Sequence, residues 1–182
     1  MDDCELVQIQ MIQQATQYNA SGRFATLNAM VPGCGNLLHH AVEMYLRGSL
    51  ARHSDLHELK NLGHDLKKIW CRTKSAYLNV DTKSFDVTIE KLDRFERIRY
   101  PDELIKEGAI VQIDIHRNEW LPSREKETRR EPMYNFVLED IDELVKVDFE
   151  FASLNPLFFS GGVKKSAIAM LNDNNLHPIF SS

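Results

Sequence analysis

Apolar positions recur with helical spacing along most of the chain. The clearest run lies in residues 34–70, CGNLLHHAVEMYLRGSLARHSDLHELKNLGHDLKKIW, where Leu37, Leu38, Ala41, Met44, Tyr45 and Gly48 fall on one stripe of a helix over 34–52. A second series, Leu66, Ile69 and Trp70, follows Gly63 and predicts a helix over 64–78. Two amphipathic helices in succession need partners for their apolar faces, and a bundle supplies them. Between the two, Ser54 is the expected N-cap of a short helical turn carrying Leu56, Leu59 and Leu62. Upstream, Leu6, Ile9, Ile12 and Ala15, with Val7 and Met11, predict a helix over 3–19. Asp2, Asp3 and Glu5 open it where the helix dipole favours acids, and Asn19, Ser21 and Gly22 read as its end. A separate helical piece is expected over 24–30, stopped by Pro32 and Gly33. Downstream, Phe85, Ile89, Leu92 and Phe95 mark the inner face of a helix that stops near Tyr100, because Pro101 restricts the residue before it.

Past Gly108 the period changes to two. Ala109, Val111, Ile113 and Ile115 alternate with their neighbours, as do Tyr134, Phe136 and Leu138, so two strands are expected to pair as a hairpin. The mixed-charge run 123–132, SREKETRREP, reads as a solvated loop between them. Asp140 is the expected cap of a helix carrying Ile141, Leu144, Val145 and Phe149, ended by Asn155 and Pro156. A short helix over 163–171 follows, and in the tail Ile179 and Phe180 are the residues suited to dock on the body. The expected fold is therefore mainly α. An antiparallel helical bundle over 1–107 carries a small C-terminal β-hairpin and helical extension over 108–182, packed on it within the same domain.

Composition narrows the function classes. A chain of 182 residues buries about 70% of its unfolded surface and needs no staples. Its 43% hydrophobic and 27% charged content is that of an ordinary globule, and a net charge of −5 argues against a broad basic face for duplex nucleic acid. Cys4, Cys34 and Cys71 lack CxxC or CxxH spacing, so neither a disulfide framework nor structural zinc is indicated. The acidic start MDDCELVQIQ and the lack of a long apolar run lead us to expect a cytoplasmic protein without a membrane partner.

Motifs for phosphate loops, dinucleotide turns, HExxH zinc sites and GxSxG nucleophiles are missing from the sequence. GGVKKS at 161–166 could hold an anion at a helix start, but a plain helix start is the commoner use of such a fragment. Five histidines gather centrally: His39, His40, His53, His57 and His64. His53 and His57 would share a face on a continuous helix, yet no carboxylate or cysteine completes a set at diagnostic spacing, and neither a metal nor a cofactor is expected. Arg47 and His53 are the pair that RNA cleavage through a 2′-hydroxyl would need, one to hold phosphate and one to move a proton. On one helix their six-residue step turns them about 120° apart. An exposed i,i+4 ion pair of Glu43 with Arg47 is the simpler use of that arginine.

Arg99 projects within about 40° of the apolar face of its own helix, which calls for a carboxylate or an anion beside it. Asp65 is the expected partner, as a latch between two helix ends. The alternative is a ligand site in which His64, Arg99 and Tyr100 close on a phosphate.

Three segments together resemble the HEPN family of helical nucleotide-binding-type domains: HAVEMYLRGSL at 40–50, GHDLKKIW at 63–70 and LDRFERIRYPD at 92–102. The family's alanine–glutamate–leucine helix, His-Asp-Leu helix start and Arg-Tyr-Pro helix end correspond to Ala41, Glu43 and Leu46, then His64, Asp65 and Leu66, then Arg99, Tyr100 and Pro101. The resemblance covers about residues 34–106. It implies an antiparallel bundle, a homodimer, and association with a nucleotide, with RNA or with a nucleotidyltransferase-type partner without an established reaction. It also implies an alternative, a metal-independent endoribonuclease in which Arg47 clamps phosphate and His53 acts as acid and base. A protein-interaction scaffold is a third reading, from another class.

Overall fold

The computed structural model describes residues 3–77, 82–99, 102, 105, 108, 110–119 and 133–180, with the side chains of Arg99 and Glu119 excepted. The fold is mainly helical, with one two-stranded sheet. In chain order the elements are α1 (Asp3–Leu27), α2 (Gly33–Leu50), α3 (Leu56–Asn61), α4 (Leu66–Ala76), α5 (Asp86–Phe95), β1 (Ile110–Asp114), β2 (Met133–Val137), α6 (Leu138–Phe151), α7 (Pro156–Ser160) and α8 (Lys165–Asn172). Single 3₁₀ turns precede α5, follow it at Arg97–Arg99, and follow β1 at Arg117–Glu119. No described helix is long and apolar enough to cross a membrane.

Helix α2 is the axis of the molecule. It is buried on nearly every side, by α1, α4, α5 and α6, so its inward positions are not one stripe: Leu38, Ala41, Val42, Tyr45, Leu46 and Leu50 are all enclosed. Helix α1 runs antiparallel along it, and two glycines set the approach. A Cβ on Gly22 would lie 2.8 Å from Leu38 Cγ, and one on Gly48 would lie 2.6 Å from Ile12 Cδ1. At the other end of α2, a Cβ on Gly35 would sit 2.0 Å from Phe95 Cδ1, so α5 crosses there in direct contact. These glycines are small residues for helix contact, not breaks.

That corrects the expected end of α1 at 19–22, since the helix continues through Gly22 to Leu27. Its buried face explains why the pattern hid this. Gln8, Thr16, Asn19, Arg23 and Thr26 are all enclosed, and polar residues at those places read from sequence as solvated. Thr16 and Thr26 turn their hydroxyls back onto Ile12 O and Gly22 O, both at 2.8 Å, and Gln8 Nε2 donates to Gly48 O at 3.1 Å.

The sheet is a second correction. β1 and β2 pair in parallel, Ile110 with Met133 through Asp114 with Val137, so they are not a hairpin. No two-residue turn joins them; residues 115–132 intervene, which is the length a parallel crossover requires. The charged run 123–132 lies outside the described residues. β2 packs on α5 through Phe95, whose ring meets Tyr134 at 5.7 Å and Phe136 at 5.4 Å. It passes straight into α6, which begins at Leu138 with no side-chain cap, so Asp140 lies inside the helix rather than before it. Asp55, not Ser54, caps α3 through Glu58 N, and Asn155 caps α7 with Pro156 in its first turn. Phe149 on α6 gathers Tyr45, Phe159 and the C-terminal Phe180 at ring distances of 5.5–5.9 Å, so the last helices share the bundle's core.

Candidate polar centre around Glu43

Inside this apolar frame α2 carries a carboxylate, Glu43, with a side-chain exposure of 0%. Burying an unpaired charge is costly enough that such a group must be met by a cation and donors, and Arg47 and His64 supply them. Arg47, one turn on, brings Nε to 3.1 Å from Glu43 Oε1, an ion pair without hydrogen-bond alignment. His64, from the loop before α4, places Nδ1 3.0 Å from Oε1 and 3.3 Å from Oε2. His40 Nδ1 stands 3.5 Å and His39 Nε2 3.9 Å from Oε2. Burial pushes the Glu43 carboxyl up, but the His40 contact, the Arg47 charge and His64 outweigh it and hold the group below the usual carboxylate range.

The surroundings fix these side chains from several elements. Arg47 Nη1 donates to Leu59 O on α3 at 2.8 Å, and Nη2 donates to Gly63 O. Gly63 has φ +57°, in the left-handed region that glycine occupies at no steric cost, and that turn aims its carbonyl and the next residue, His64, at α2. His39 is buried with Nδ1 3.1 Å from Leu92 O on α5; a carbonyl only accepts, so Nδ1 carries the hydrogen there. One edge of the centre meets solvent. The His64 side chain is 69% exposed, His40 is half-buried, and the His40 ring lies 5.7 Å from that of Tyr18 on α1 and 6.5 Å from that of His64.

Of the residues marked from sequence, Glu43 and Arg47 do form the expected i,i+4 pair, but in the interior rather than on the surface. Arg47 and His53 are not brought together. Helix α2 ends at Leu50, and His53 lies exposed beyond it, its ring 5.5 Å from that of Tyr77. His57 is also exposed and pairs with Asn61; it lies on α3, which begins at Leu56, so His53 and His57 share no helix face. Asp65 caps α4 through Lys68 N at 3.0 Å and meets Lys68 Nζ at 3.3 Å. The Arg99 side chain and Tyr100 lie outside the described residues. The sequence did carry a sign of the centre: His39, His40 and Glu43 are spaced so that both imidazoles flank one carboxylate on a single helix.

Comparison with protein-family models, with curated proteins and with solved structures returned no match. Arg47 is fully engaged by Glu43 and two carbonyls, whereas the histidine edge beside Tyr18 faces outward. Next to it Gln14, Gln17, Tyr18, Ser21 and Leu37 line an open cavity of about 270 Å³ between α1 and α2.

Proposed function

We propose that this chain is a HEPN-like helical domain that binds a nucleotide or single-stranded RNA without cleaving it. The observation that carries the reading is the outward face at Tyr18. A half-exposed aromatic ring, flanked by the His40 imidazole, stands in a cavity whose other polar groups are the Gln14 and Gln17 amides and the Ser21 hydroxyl. A partly exposed ring at an open cavity can stack on a base, and amides that both donate and accept suit the edges of a base splayed from its strand. The His40 imidazole beside Tyr18, with the exposed His64 ring 6.5 Å from it, offers ring nitrogens to the polar groups attached to such a base. Absence of catalysis is the preferred form because Arg47 is spent on Glu43 and on the α3 and Gly63 carbonyls, and His53 is stationed elsewhere.

Fluorescence anisotropy with labelled single-stranded RNA, and calorimetry with ATP, test this directly. Binding is expected, and Tyr18→Ala is expected to weaken it about 10- to 100-fold, from the usual contribution of one base stack. No binding of either ligand by the wild type, or binding indifferent to Tyr18→Ala, contradicts the proposal. Cleavage of the same RNA in EDTA, lost in both Arg47→Ala and His53→Ala, would establish the nuclease alternative instead.

A further inference from the structure

Three nitrogen and oxygen atoms of the Glu43 centre converge without bonding one another. His39 Nε2, His40 Nδ1 and one oxygen of Glu43 all lie within 4.8 Å of each other. Hydrogen bonds between such atoms run at about 2.7–3.2 Å. The separations here, 3.5 Å from His40 Nδ1 and 3.9 Å from His39 Nε2 to Glu43 Oε2, are too long for that. They are close to another length. Ligands held about 2.0–2.1 Å from a tetrahedral ion stand about 3.3 Å apart, so His40 Nδ1 already stands near that distance from Oε2 and His39 Nε2 reaches it by closing in by about half an ångström.

The buried histidine gives an independent reason. His39 is 0% exposed, and its Nδ1–H is committed to Leu92 O, which leaves Nε2 as the atom directed at the carboxylate. Nε2 has no hydrogen-bond partner among the described residues. A nitrogen lone pair facing a carboxylate oxygen repels it unless a positive species lies between them. One proton could bridge His39 or His40 to Oε2, but not both, and neither separation is a hydrogen bond. A cation satisfies the two nitrogens and the oxygen at once. The Nδ1–H to backbone carbonyl bond is also the support that metal-bound imidazoles ordinarily have, since it fixes the tautomer that offers Nε2.

We propose that His39 Nε2, His40 Nδ1 and Glu43 Oε2 bind a divalent transition-metal ion of the zinc class. Two imidazoles and one carboxylate select such an ion over magnesium or calcium, which take oxygen ligands. Arg47 Nε stands 3.1 Å from the other carboxylate oxygen, Oε1, and His64 Nδ1 stands 3.0 Å from Oε1 and 3.3 Å from Oε2, so the two anchor the carboxylate with Oε2 toward His39 and His40. The protein supplies three ligands, and the fourth position is left for water. The site stands on α2 alone for its ligands and does not require nucleotide or RNA binding at Tyr18.

The test uses the full chain, stripped with chelator and titrated with zinc chloride by calorimetry and with cobalt(II) chloride by visible absorbance. One equivalent of zinc is expected to bind, and cobalt is expected to give the d–d bands of a four-coordinate ion. His40→Ala removes a half-exposed ligand and is expected to weaken zinc binding by at least about 100-fold, beyond the usual loss when an outer-shell partner is removed. The double variant His53→Ala/His57→Ala is expected to bind as the wild type does. A readout that needs no variant is the imidazole NMR spectrum, in which the His39 and His40 rings shift with the first equivalent of zinc. No binding at about 100 μM zinc, binding that survives His40→Ala, binding lost with His53 and His57, or unmoved His39 and His40 resonances would each overturn the proposal.

Discussion

Among the described residues two arginine–carboxylate pairs are buried, and they are finished to different degrees. Arg23 on α1 is wholly enclosed and grips Asp142 on α6 with one nitrogen to both oxygens; its Nε donates to Met170 O at 3.0 Å and its Nη2 to Asp173 O, beside α8. That pair joins three helices and opens nowhere. Around Glu43 the supply exceeds the demand. An arginine and three histidines face one carboxylate, one buried imidazole nitrogen has no partner among the described residues, and two imidazoles reach solvent. A closed pair holds helices together. An over-supplied, part-open one is arranged to hold something else.

The largest expected effect tests the closed pair. Arg23→Met leaves Asp142 buried without its cation and should cost about 3–5 kcal/mol, with a fall in melting temperature of about 10 °C or more. Asp142→Asn should be similarly damaging. The double variant should lose less than the two single losses combined, because the second substitution removes a charge already stranded by the first. Additive losses would show that the pair is not the latch described.

Glu43→Gln should cost less, about 1.5–3 kcal/mol in chemical denaturation, since Arg47 keeps the Leu59 and Gly63 carbonyls as acceptors. A loss equal to that of Arg23→Met would erase the contrast between the centres. Its pH course has a definite sign. A carboxyl held below its unfolded value stabilises the fold above that value and loses the contribution as pH falls through the folded one, so the gap between wild type and Glu43→Gln should close in acid.

How far these differences were legible in sequence depends on the helix. On α2, α4 and α5 the apolar positions repeat regularly, and the bundle follows from Leu38, Tyr45, Leu66, Ile69, Ile89 and Leu92. Along α1 the inward positions from Thr16 to Thr26 are polar or small, because they meet Tyr45, Asp142 and the close face of α2, so periodicity ended the helix early. Parallel pairing of β1 with β2 was hidden for a different reason. Alternation sets which face a residue occupies, but not the direction of its neighbour. Glu43 with Arg47 was legible as a pair, yet its burial depends on the Gly63 turn and on α5, which local spacing does not encode. Of the outer groups of the candidate site, His40 was visible only as a histidine, and His64 was assigned to a site with Asp65, Arg99 and Tyr100 rather than to Glu43.

A third buried carboxylate, Asp148, differs from both, with no cation paired to it among the described residues. Asp148 accepts from Ser49 Oγ at 2.6 Å and lies near Tyr45 and Tyr77; burial pushes its carboxyl up to about 7 against the smaller opposing effect of Ser49. A raised folded value means that the contribution to stability is complete below about pH 4 and is lost as pH rises through about 7. Asp148→Asn should therefore flatten stability against pH between about 4 and 8 and raise the melting temperature at the alkaline end. An unchanged slope would show that Asp148 is not the group responsible. The smallest effect belongs to the exposed histidines: His53→Ala and His57→Ala should each leave the melting temperature within about 2 °C of wild type.

The most direct measurement compares melting of the wild type and the double variant His40→Ala/His64→Ala, each chelator-stripped and then with zinc chloride. If the Glu43 centre is a site for a ligand and not a latch, the stripped variant loses less than Arg23→Met does, since Arg47 still faces Glu43. Zinc at about 100 times its dissociation constant then raises the wild type by about 5–10 °C and leaves the variant where it was. A stripped variant that melts as far below the wild type as Arg23→Met does, together with a wild type that zinc does not move, would make the centre a second latch and contradict the account.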